Sequence, residues 1–565
     1  MDNNTSDKWK HPKNRQELLR SGLIQAMGYT ETDLEKPIVG IINSWAETNP
    51  GHLHFRQLAE AVKRGVWAAG GFPLEVNTMS ICECFFDVSS LIYRNLMSVE
   101  CEELMARHPF DGCVMIGGCD KDIPAQLMAA VSVNKPTIFL PGGAMLPGSY
   151  KGETLACGTD SYKIYNDYVC GKISWEKMMS YAGCLYGSAG ACPIMGTANT
   201  DQVVTEAMGI ALPYSASSLG VSAEKSRQAE QAGRRIVDMI RENLRPSDII
   251  TPASMRNAIR VIMAVGGSTN LLIHLKAIMG RAGFDIDLME FDKISNDTPL
   301  LVNVKPHGNT PMGAAFHNAG GVPALMKELE DKLDLSCMTV TGKTLGENLR
   351  NVDYSYDRRI IYSADKPISP VGGMTILKGN LAPNGAVIKR SAASERLMKH
   401  RGRAKVFDDL HEAERFLADE NSDIDENTVI VLRGYGPRGE PGMSEFGNYL
   451  PLPPKIARKG FTDYLRITDS RMSGGCYGSI ILHVSPEAQV GGPLAAVRDG
   501  DIIHVDADRN LLEVELTDEE IAGRLENFTP KTHTDISRGY LKHYVEHVLQ
   551  ADEGCDFDYM RKDGN

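Results

Sequence analysis

Short apolar segments alternate with amphipathic helices in the first part of the chain. The segments "PIVGIINSW", "DGCVMIGGCD" and "PTIFLPGG" are rich in β-branched residues and end in glycine or polar residues, as buried strands do. Before the second of them, "LHFRQLAEAVKRGVWAAGG" places Leu58, Val62 and Val66 at helical spacing and stops at Gly70 and Gly71. Strands that alternate with helices form a mainly parallel sheet covered on both faces. The N-terminal region is therefore predicted to be an α/β domain.

The pattern changes near residue 370. Before it, "SAEKSRQAEQAGRRIVDMIREN" and "TPASMRNAIRVIMAVGG" predict two more helices. After it, segments such as "TVIVLRGYG", "GSIILHVSPEA" and "DIIHVDADRNLLEVELT" predict short strands, the last being a hairpin with a turn around residues 508–510. We therefore predict two domains, an α/β domain over residues 1–370 and a C-terminal β-barrel-like domain over residues 371–565. The charged segment 394–425 is predicted to be a helical insertion or cover.

Composition and charge narrow the class of partner. The 565 residues carry a formal net charge of −13, which argues against nucleic-acid binding because phosphate recognition needs a basic face. The polar N-terminus shows no signal peptide, and no apolar run reaches the ~18–20 residues that cross a membrane. The twelve cysteines are too scattered for a secreted disulfide scaffold. The sequence thus predicts a cytoplasmic protein with a small-molecule partner, without nucleic-acid or membrane partners.

The strongest local signal for chemistry is "MIGGCDKDIPAQ", in which an apolar strand leads into Cys119, Asp120 and Lys121. Ligands of open α/β sheets bind at the carboxyl ends of strands. A thiol, a carboxylate and an amine presented together there suit a metal site. A buried cysteine beside a solvated Asp–Lys pair is an equally simple interpretation of this motif alone.

Three further residues are candidates, each with a structural alternative. Cys192 follows small residues in "GACPIMGTANT", which lets a cluster approach the backbone, although a core thiol is the commoner role. Glu445 follows the glycine-rich "GYGPRGEPGM" and could complete an oxygen-ligand shell for Mg²⁺, or lie in solvent. Ser473 in "ITDSRMSGG" sits on a glycine turn, where serine is usually only a turn residue.

Several common motifs are missing from the sequence. It has no G-x-x-x-x-G-K-[ST] loop, no CxxC pair, no HExxH, and no convincing strand–GxGxxG–helix unit. NAD-dependent and P-loop nucleotide-hydrolysing activities are therefore weakly supported.

Taken together, these segments resemble the dihydroxy-acid dehydratase / phosphogluconate dehydratase family of iron–sulfur dehydratases. "GGCDKDIPAQLMAA", "GACPIMGTANT", "GGSTN", "GPRGEPGM" and "TDSRMSGG" occur in the family's order, and the resemblance runs from residue 20 or so to about residue 528. "AAGGFPLEVNTMS" and "RNLMSVECEELM" look most like the sugar-acid branch. The resemblance implies an α/β domain followed by a β-barrel-like domain, with the site near the interface of a homodimer or homotetramer.

The resemblance also implies an activity and its cofactors. The expected reaction is a hydro-lyase reaction that removes water from a 2,3-dihydroxy sugar acid, a pentonate or hexonate, to give a 2-keto-3-deoxy acid. The cofactors would be a [2Fe–2S] cluster and Mg²⁺, and Ser473 would be the catalytic base, as an alkoxide. Lys121, which family members can carry as a carbamate, would serve both the metal and catalysis. The implied ligands are Cys119 and Cys192 for the cluster, and Glu83, Asp120, Lys121 and Glu445 for Mg²⁺.

One position departs from the family's pattern. Most members have a cysteine after the proline of the first helix start, as the third cluster ligand, whereas this chain has Gly51 in "NPGHLHFRQ". His52 is the nearest substitute in sequence, because imidazole can replace a thiolate on one iron of a [2Fe–2S] centre. A solvent-facing histidine at a helix start is the alternative.

Cys82 and Cys84 are the other possible substitutes. If residues 80–85 are extended, side chains alternate between two faces, so a Glu83 that faces the metal would turn both thiols away. A bulge or turn would relax this constraint. The sequence favours packing for both thiols and leaves ligation open.

Two other functions remain open at this point. A dihydroxy-acid dehydratase of branched-chain amino-acid synthesis would need an apolar wall beyond C3 instead of polar groups. A non-catalytic, cluster-free paralogue that binds a sugar acid or a metal is suggested by the missing thiol at Gly51.

Overall fold

A four-stranded parallel sheet lies at the centre of the N-terminal region in the computed structural model, which describes residues 13–86, 88–156, 159–169, 171–445, 450–476, 478–531, 533 and 536–562. The strand order is β2-β1-β3-β4. Three of the four strands are buried along their whole length, because helices cover both faces of the sheet. The strands are β1 (Ile38–Asn43), β2 (Phe72–Asn77), β3 (Gly112–Gly117) and β4 (Thr137–Pro141). The predicted α/β class and its parallel sheet are confirmed.

Helices surround this sheet, and the three helices predicted from sequence are among them. A short antiparallel ribbon, β5 (Gly148–Tyr150) with β6 (Glu153–Leu155), follows the sheet. The helices are α1 (Arg15–Ala26), α2 (Glu31–Leu34), α3 (Phe55–Ala68), α4 (Leu91–Arg107), α5 (Asp122–Val133), α6 (Thr159–Val169), α7 (Trp175–Ala182), α8 (Thr197–Ala207), α9 (Ala223–Glu242), α10 (Pro246–Ile249), α11 (Pro252–Val265), α12 (Asn270–Ala282), α13 (Leu288–Asn296), α14 (Gly313–Asn318), α15 (Gly321–Glu328) and α16 (Leu345–Leu349).

The C-terminal region forms a closed barrel, as predicted. Its strands run in the order β10-β11-β12-β8-β7-β14-β13-β9. The predicted hairpin is the antiparallel pair β13–β14. The elements are β7 (Thr375–Gly379), β8 (Ala382–Ile388), β9 (Lys399–Phe407), α17 (Leu410–Ala418), β10 (Val429–Leu432), α18 (Pro454–Ala457), β11 (Leu465–Thr468), β12 (Ile480–Ser485), β13 (Ile502–Asp506), β14 (Leu511–Val514), α19 (Asp518–Leu525) and α20 (Gly539–His547).

The predicted helical insertion at residues 394–425 is wrong over its first half. That half contains β9, which pairs with β10 and β13 and is part of the barrel wall. Its buried positions include His400, Gly402 and Ala404, while Arg401 and Arg403 between them are exposed. Because small or polar residues occupy the inward positions, the period-two pattern of a strand is hard to recognise. Only α17 matches the helical prediction.

The carboxyl ends of strands from both regions face each other. Strand β3 ends at Gly117, and the parallel barrel strands β10 and β11 end at Leu432 and Thr468. The loop after β2 touches the loop after β10 across the junction, where the Ser89 hydroxyl donates a hydrogen bond to the Gly442 carbonyl. This junction contains the candidate site. Over the described residues, none of the helices combines the length and apolar character needed to span a membrane.

Candidate metal site between the sheet and the barrel

Three carboxylates from distant parts of the chain meet at the junction. Glu83 lies in a 3₁₀ turn (Glu83–Phe85) after β2, Asp120 follows β3, and Glu445 lies in the loop after β10. One oxygen atom of each lies within 4.8 Å of the others. We call these three residues the carboxylate cluster. Oxygen donors gathered in this way fit Mg²⁺, which prefers carboxylate and water ligands.

Two buried cations hold the carboxylate cluster together. Lys121 Nζ lies 2.9 Å from Glu83 Oε2 and 2.7 Å from Asp120 Oδ2. Arg471 Nη2 lies 2.8 Å from Glu83 Oε1, and its Nη1 lies 2.6 Å from Glu445 Oε1. The Lys121 and Arg471 side chains are 0% and 1% exposed, whereas the carboxylates that they pair with are between 14% and 27% exposed. Arg471 therefore joins the sheet side of the site to the barrel side.

The pKa values of Glu83 and Glu445 shift in opposite directions in this environment. Burial raises the pKa of Glu83, but the charges of Arg471 and Lys121 outweigh it and hold that pKa below its usual range. Burial dominates at Glu445 and, with Arg471 opposing it, raises its pKa to about 7. Burial lowers the pKa of Lys121, and the charges of Asp120 and Glu83 more than offset this. Of Glu83 and Glu445, Glu445 therefore binds a proton more readily near neutral pH.

Ser473 is carried by the same segment as Arg471. The segment follows β11, and its Ser473 hydroxyl, which is half-buried, accepts a hydrogen bond from the Gly475 N–H at 3.4 Å. A Cβ on Gly474 would lie 2.4 Å from the Thr197 nitrogen, so glycine is needed for this close approach. The serine turn therefore packs directly against the start of α8.

Gly51 lies where the segments of the two predicted cluster cysteines converge. A Cβ on Gly51 would lie 2.9 Å from Cys119 Sγ and 3.5 Å from the Gly190 carbonyl oxygen. The Gly190 N–H also donates to the Pro50 carbonyl at 3.2 Å, which fixes the segment that leads to Cys192. The backbone segments that lead to Cys119 and Cys192, the two predicted cluster ligands, thus meet at Gly51, which has no donor side chain. We call the segments 49–52, 80–84, 119 and 190–192 the thiol region.

His52 is buried and both of its ring nitrogens are hydrogen-bonded. Nε2 accepts from the Cys119 N–H at 2.9 Å, and Nδ1 therefore carries the proton and lies 2.8 Å from the Ser44 carbonyl oxygen. Burial lowers the pKa of His52 to about 3, so the ring is neutral. The alternative of a solvent-facing histidine is wrong. In this arrangement the ring orients the Cys119 backbone and has no nitrogen left for iron.

Cys82 and Cys84 depart from the simple alternation of a strand. Cys82 is extended, but residues 83–85 form the 3₁₀ turn, which relaxes the constraint on side-chain direction. Cys82 is half-buried and Cys84 is exposed, so a packing role does not describe Cys84. A hydrogen bond with Cys84, burial and the nearby Cys119 thiol raise the pKa of Cys82. Asn49 bonds both the Ile81 carbonyl oxygen and Cys119 Sγ, so the backbone just before Cys82 lies beside a predicted cluster ligand.

Sequence reasoning missed two residues that organise the site. Arg471 lies inside the quoted motif "TDSRMSGG", but its pairing with Glu83 and Glu445 becomes visible only when the sheet and barrel meet. Asn49 hydrogen-bonds several segments of the thiol region and lies two positions before Gly51. Asn49 could have been singled out from the sequence, because it lies next to the position at which the family's cysteine is missing.

A parallel α/β sheet is joined to a closed barrel in this chain, and carboxylates, thiols and a serine lie on the loops at the junction. Models of the N-terminal and C-terminal domains of dihydroxy-acid/6-phosphogluconate dehydratases match residues 36–348 and 359–555. The chain belongs to this family of dehydratases, which confirms the resemblance seen in the sequence.

Named relatives indicate the sugar-acid branch. An L-arabinonate dehydratase from Rhizobium leguminosarum bv. trifolii is 41% identical over 98% of this chain and 96% of its own length. A 6-deoxy-6-sulfo-D-gluconate dehydratase from Pseudomonas putida is 41% identical over the same shares. A dihydroxy-acid dehydratase from Methanobrevibacter smithii is 40% identical over 94% of this chain and 96% of its own length.

Proposed function

We propose that this protein dehydrates a pentonate or hexonate to the corresponding 2-keto-3-deoxy acid. The observation that carries the proposal is the carboxylate cluster, held by buried Lys121 and Arg471 beside the turn that bears Ser473. The arabinonate and sulfogluconate dehydratases among the relatives support a sugar acid as the substrate class. The cluster fits a divalent cation that would bind the carboxylate end of such a substrate.

The residues present can be given roles in this reaction. Mg²⁺ held by Glu83, Asp120 and Glu445 would supply a Lewis acid that stabilises negative charge on the carboxylate and C2 oxygens. Ser473 Oγ would remove the C2 proton, and loss of hydroxide from C3 would leave the enol of the keto acid. A serine hydroxyl is a weak base, so its anion must be stabilised by nearby positive charge. Lys121 pairs with Glu83 and Asp120 as an ammonium group in the metal-free chain. Once Mg²⁺ supplies the positive charge instead, Lys121 would join the metal ligands as a carbamate, whose oxygen suits Mg²⁺ better than an ammonium group.

The iron–sulfur cluster has a separate role in the proposal. Bound to Cys119 and Cys192, it would supply a second Lewis acid that helps the C3 hydroxyl to leave. His52 would orient the Cys119 backbone through the hydrogen bond between its Nε2 and the Cys119 N–H. We therefore give His52 a positioning role, in place of the ligand role that its place in the sequence suggested.

Replacement of Ser473 by alanine tests the proposed base. Formation of 2-keto acid from a panel of pentonates and hexonates is expected to fall about 10²–10⁴-fold in kcat. Ser363→Ala is a matched control, because Ser363 is also half-buried and its hydroxyl also accepts a 3.4 Å hydrogen bond from the N–H two residues on. Equal rates for the two variants would contradict the proposed role of Ser473.

The same assay separates the other functions. The 40% identical dihydroxy-acid dehydratase makes a branched dihydroxy acid the second candidate substrate. Faster turnover of dihydroxyisovalerate than of every aldonate would favour that activity. Absence of turnover on all of these acids, together with absence of iron in anaerobically purified protein, would favour a cluster-free binding protein.

A further inference from the structure

Asn49 ties Cys119 to the segment that precedes Cys82. Its Oδ1 accepts a hydrogen bond from Cys119 Sγ at 3.4 Å and another from the Gly51 N–H at 3.0 Å. Its Nδ2 donates to the Ile81 carbonyl oxygen at 3.2 Å. One amide side chain thus connects the predicted cluster ligand, the glycine that replaces a ligand, and the residue immediately before Cys82.

The backbone before Cys82 is fixed from the opposite side as well. The Ile81 N–H donates to Asp122, with distances of 3.2 and 3.3 Å to its two carboxylate oxygens. Asp122 begins α5, three residues after Cys119. Because both polar groups of Ile81 are bonded to residues near Cys119, the start of the Cys82 side chain is held close to that cysteine.

The 3₁₀ turn then separates the directions of neighbouring side chains. The Glu83 carboxylate contacts Lys121 and Arg471 in the carboxylate cluster. The Cys82 thiol instead hydrogen-bonds with Cys84, and the backbone before it is held beside Cys119 through Asn49 and Asp122. Residues 82 and 83 therefore serve two adjacent halves of one site, Glu83 the carboxylate cluster and Cys82 the thiol region.

We propose that Cys82 supplies the third thiolate of the iron–sulfur cluster in this chain, in place of the thiol missing at Gly51. The inference rests on the proposed function, since it assumes that a cluster binds. Thiolates are the usual ligands of such clusters, and the Cys82 proton would pass to solvent when sulfur binds iron. Gly51 complements this arrangement, because a side chain there would press on Cys119 Sγ and occupy the space beside it. Once the Cys82 sulfur has lost its proton, the hydrogen bond between the two thiols would reverse, with Cys84 as the donor.

Single cysteine variants test this assignment. Cys82→Ala, Cys84→Ala and the wild type are purified anaerobically and supplied with iron and sulfide. Iron, acid-labile sulfide, visible absorbance and the electron paramagnetic resonance of the reduced protein are then measured. Cys337→Ala is the control, because Cys337 is a buried thiol that contacts Asn257 outside the thiol region. We expect Cys82→Ala to lose most of its iron, whereas Cys84→Ala keeps its iron with a shifted spectrum and the control matches wild type.

A compensating substitution guards against a simple folding defect. Gly51→Cys in the Cys82→Ala background is expected to restore iron, because a Cβ at position 51 already lies next to Cys119 Sγ. Thermal unfolding of each variant shows whether loss of iron follows loss of the fold. Full iron in Cys82→Ala, or loss of iron in Cys84→Ala alone, would overturn the assignment.

The outcomes also distinguish this inference from the proposed function. Wild-type protein that binds a cluster and dehydrates an aldonate, with unchanged iron in Cys82→Ala, would remove Cys82 as a ligand and leave the dehydratase function standing. Wild-type protein without iron and without turnover would overturn both.

Discussion

The carboxylate cluster and the thiol region lie side by side but are held by different forces. In the first, carboxylates pair with the buried cations Lys121 and Arg471. In the second, neutral groups such as Asn49 and His52 hold the segments through hydrogen bonds, and Gly51 replaces a ligand. A buried charge whose partner is removed costs several kcal/mol, whereas a neutral hydrogen bond costs less. A substitution that moves a ligand from one residue to another should therefore cost less stability in the thiol region than in the carboxylate cluster.

Replacing Arg471 should have the largest effect on the stability of the protein. Arg471→Met leaves Glu445 without its cationic partner and Glu83 with only Lys121, so we expect the free energy of unfolding to fall by about 3–5 kcal/mol. Arg401→Met is the matched control, because Arg401 pairs with Glu515 through two hydrogen bonds but is 60% exposed. That variant is expected to lose less than about 1 kcal/mol. Urea unfolding of the metal-free proteins gives both values, and similar losses would contradict the comparison.

A change at His52, in the thiol region, should lower the free energy of unfolding less than the change at Arg471 does. His52→Asn removes the acceptor of the partly buried Cys119 N–H, which costs about 1–3 kcal/mol in the free energy of unfolding. Iron content should remain close to that of wild type, because neither ring nitrogen is assigned to the metal. Urea unfolding and iron analysis are measured on the same preparation. Loss of iron in a stably folded His52→Asn protein would show that the cluster depends on His52, either as a ligand or through its hold on the Cys119 backbone.

The strands that sequence predicted best are those with continuous apolar runs. β1, β3 and β4 are buried throughout, so their composition alone identifies them. β9 was missed because its inward positions carry residues such as His400 and Gly402, which do not produce an apolar alternation. The boundary near residue 370, the cytoplasmic location and the homo-oligomer remain predictions.

Site residues that lie in one continuous motif could be predicted from the sequence, whereas those whose role depends on contacts between distant loops could not. Local motifs singled out Asp120, Lys121 and Glu445, and the resemblance added Glu83. Arg471 could not be assigned a role, because its role exists only when loops after β2 and β10 meet. The strand assumption for residues 80–85 also failed to foresee that a thiol turned away from the carboxylates would face another cysteine.

A lower pH should weaken the binding of Mg²⁺ to the carboxylate cluster. In the metal-free protein burial raises the pKa of Glu445 to about 7, so below that pH a proton occupies an oxygen that Mg²⁺ requires. Mg²⁺ affinity is therefore expected to fall about tenfold from about pH 8 to about pH 6, and to level off above pH 8. Titration calorimetry at each pH measures this. Glu445→Gln should bind more weakly with a flatter pH profile, and an equally steep profile in that variant would assign the proton elsewhere.

The smallest expected effect on stability comes from adding a methyl group at position 51, where the family's thiol is missing. In Gly51→Ala the new Cβ would lie 2.9 Å from Cys119 Sγ and 3.0 Å from Asn49 Oδ1, which are ends of side chains and can move slightly. The free energy of unfolding should change by less than about 1 kcal/mol, because alanine also lowers the entropy of the unfolded chain. Gly474→Ala is the contrasting variant, since its Cβ would lie 2.4 Å from a backbone nitrogen and should cost about 1–3 kcal/mol. If Gly51→Ala were the more damaging of the two in urea unfolding, the thiol region would be as rigid as the carboxylate cluster side, and the contrast between them would fail.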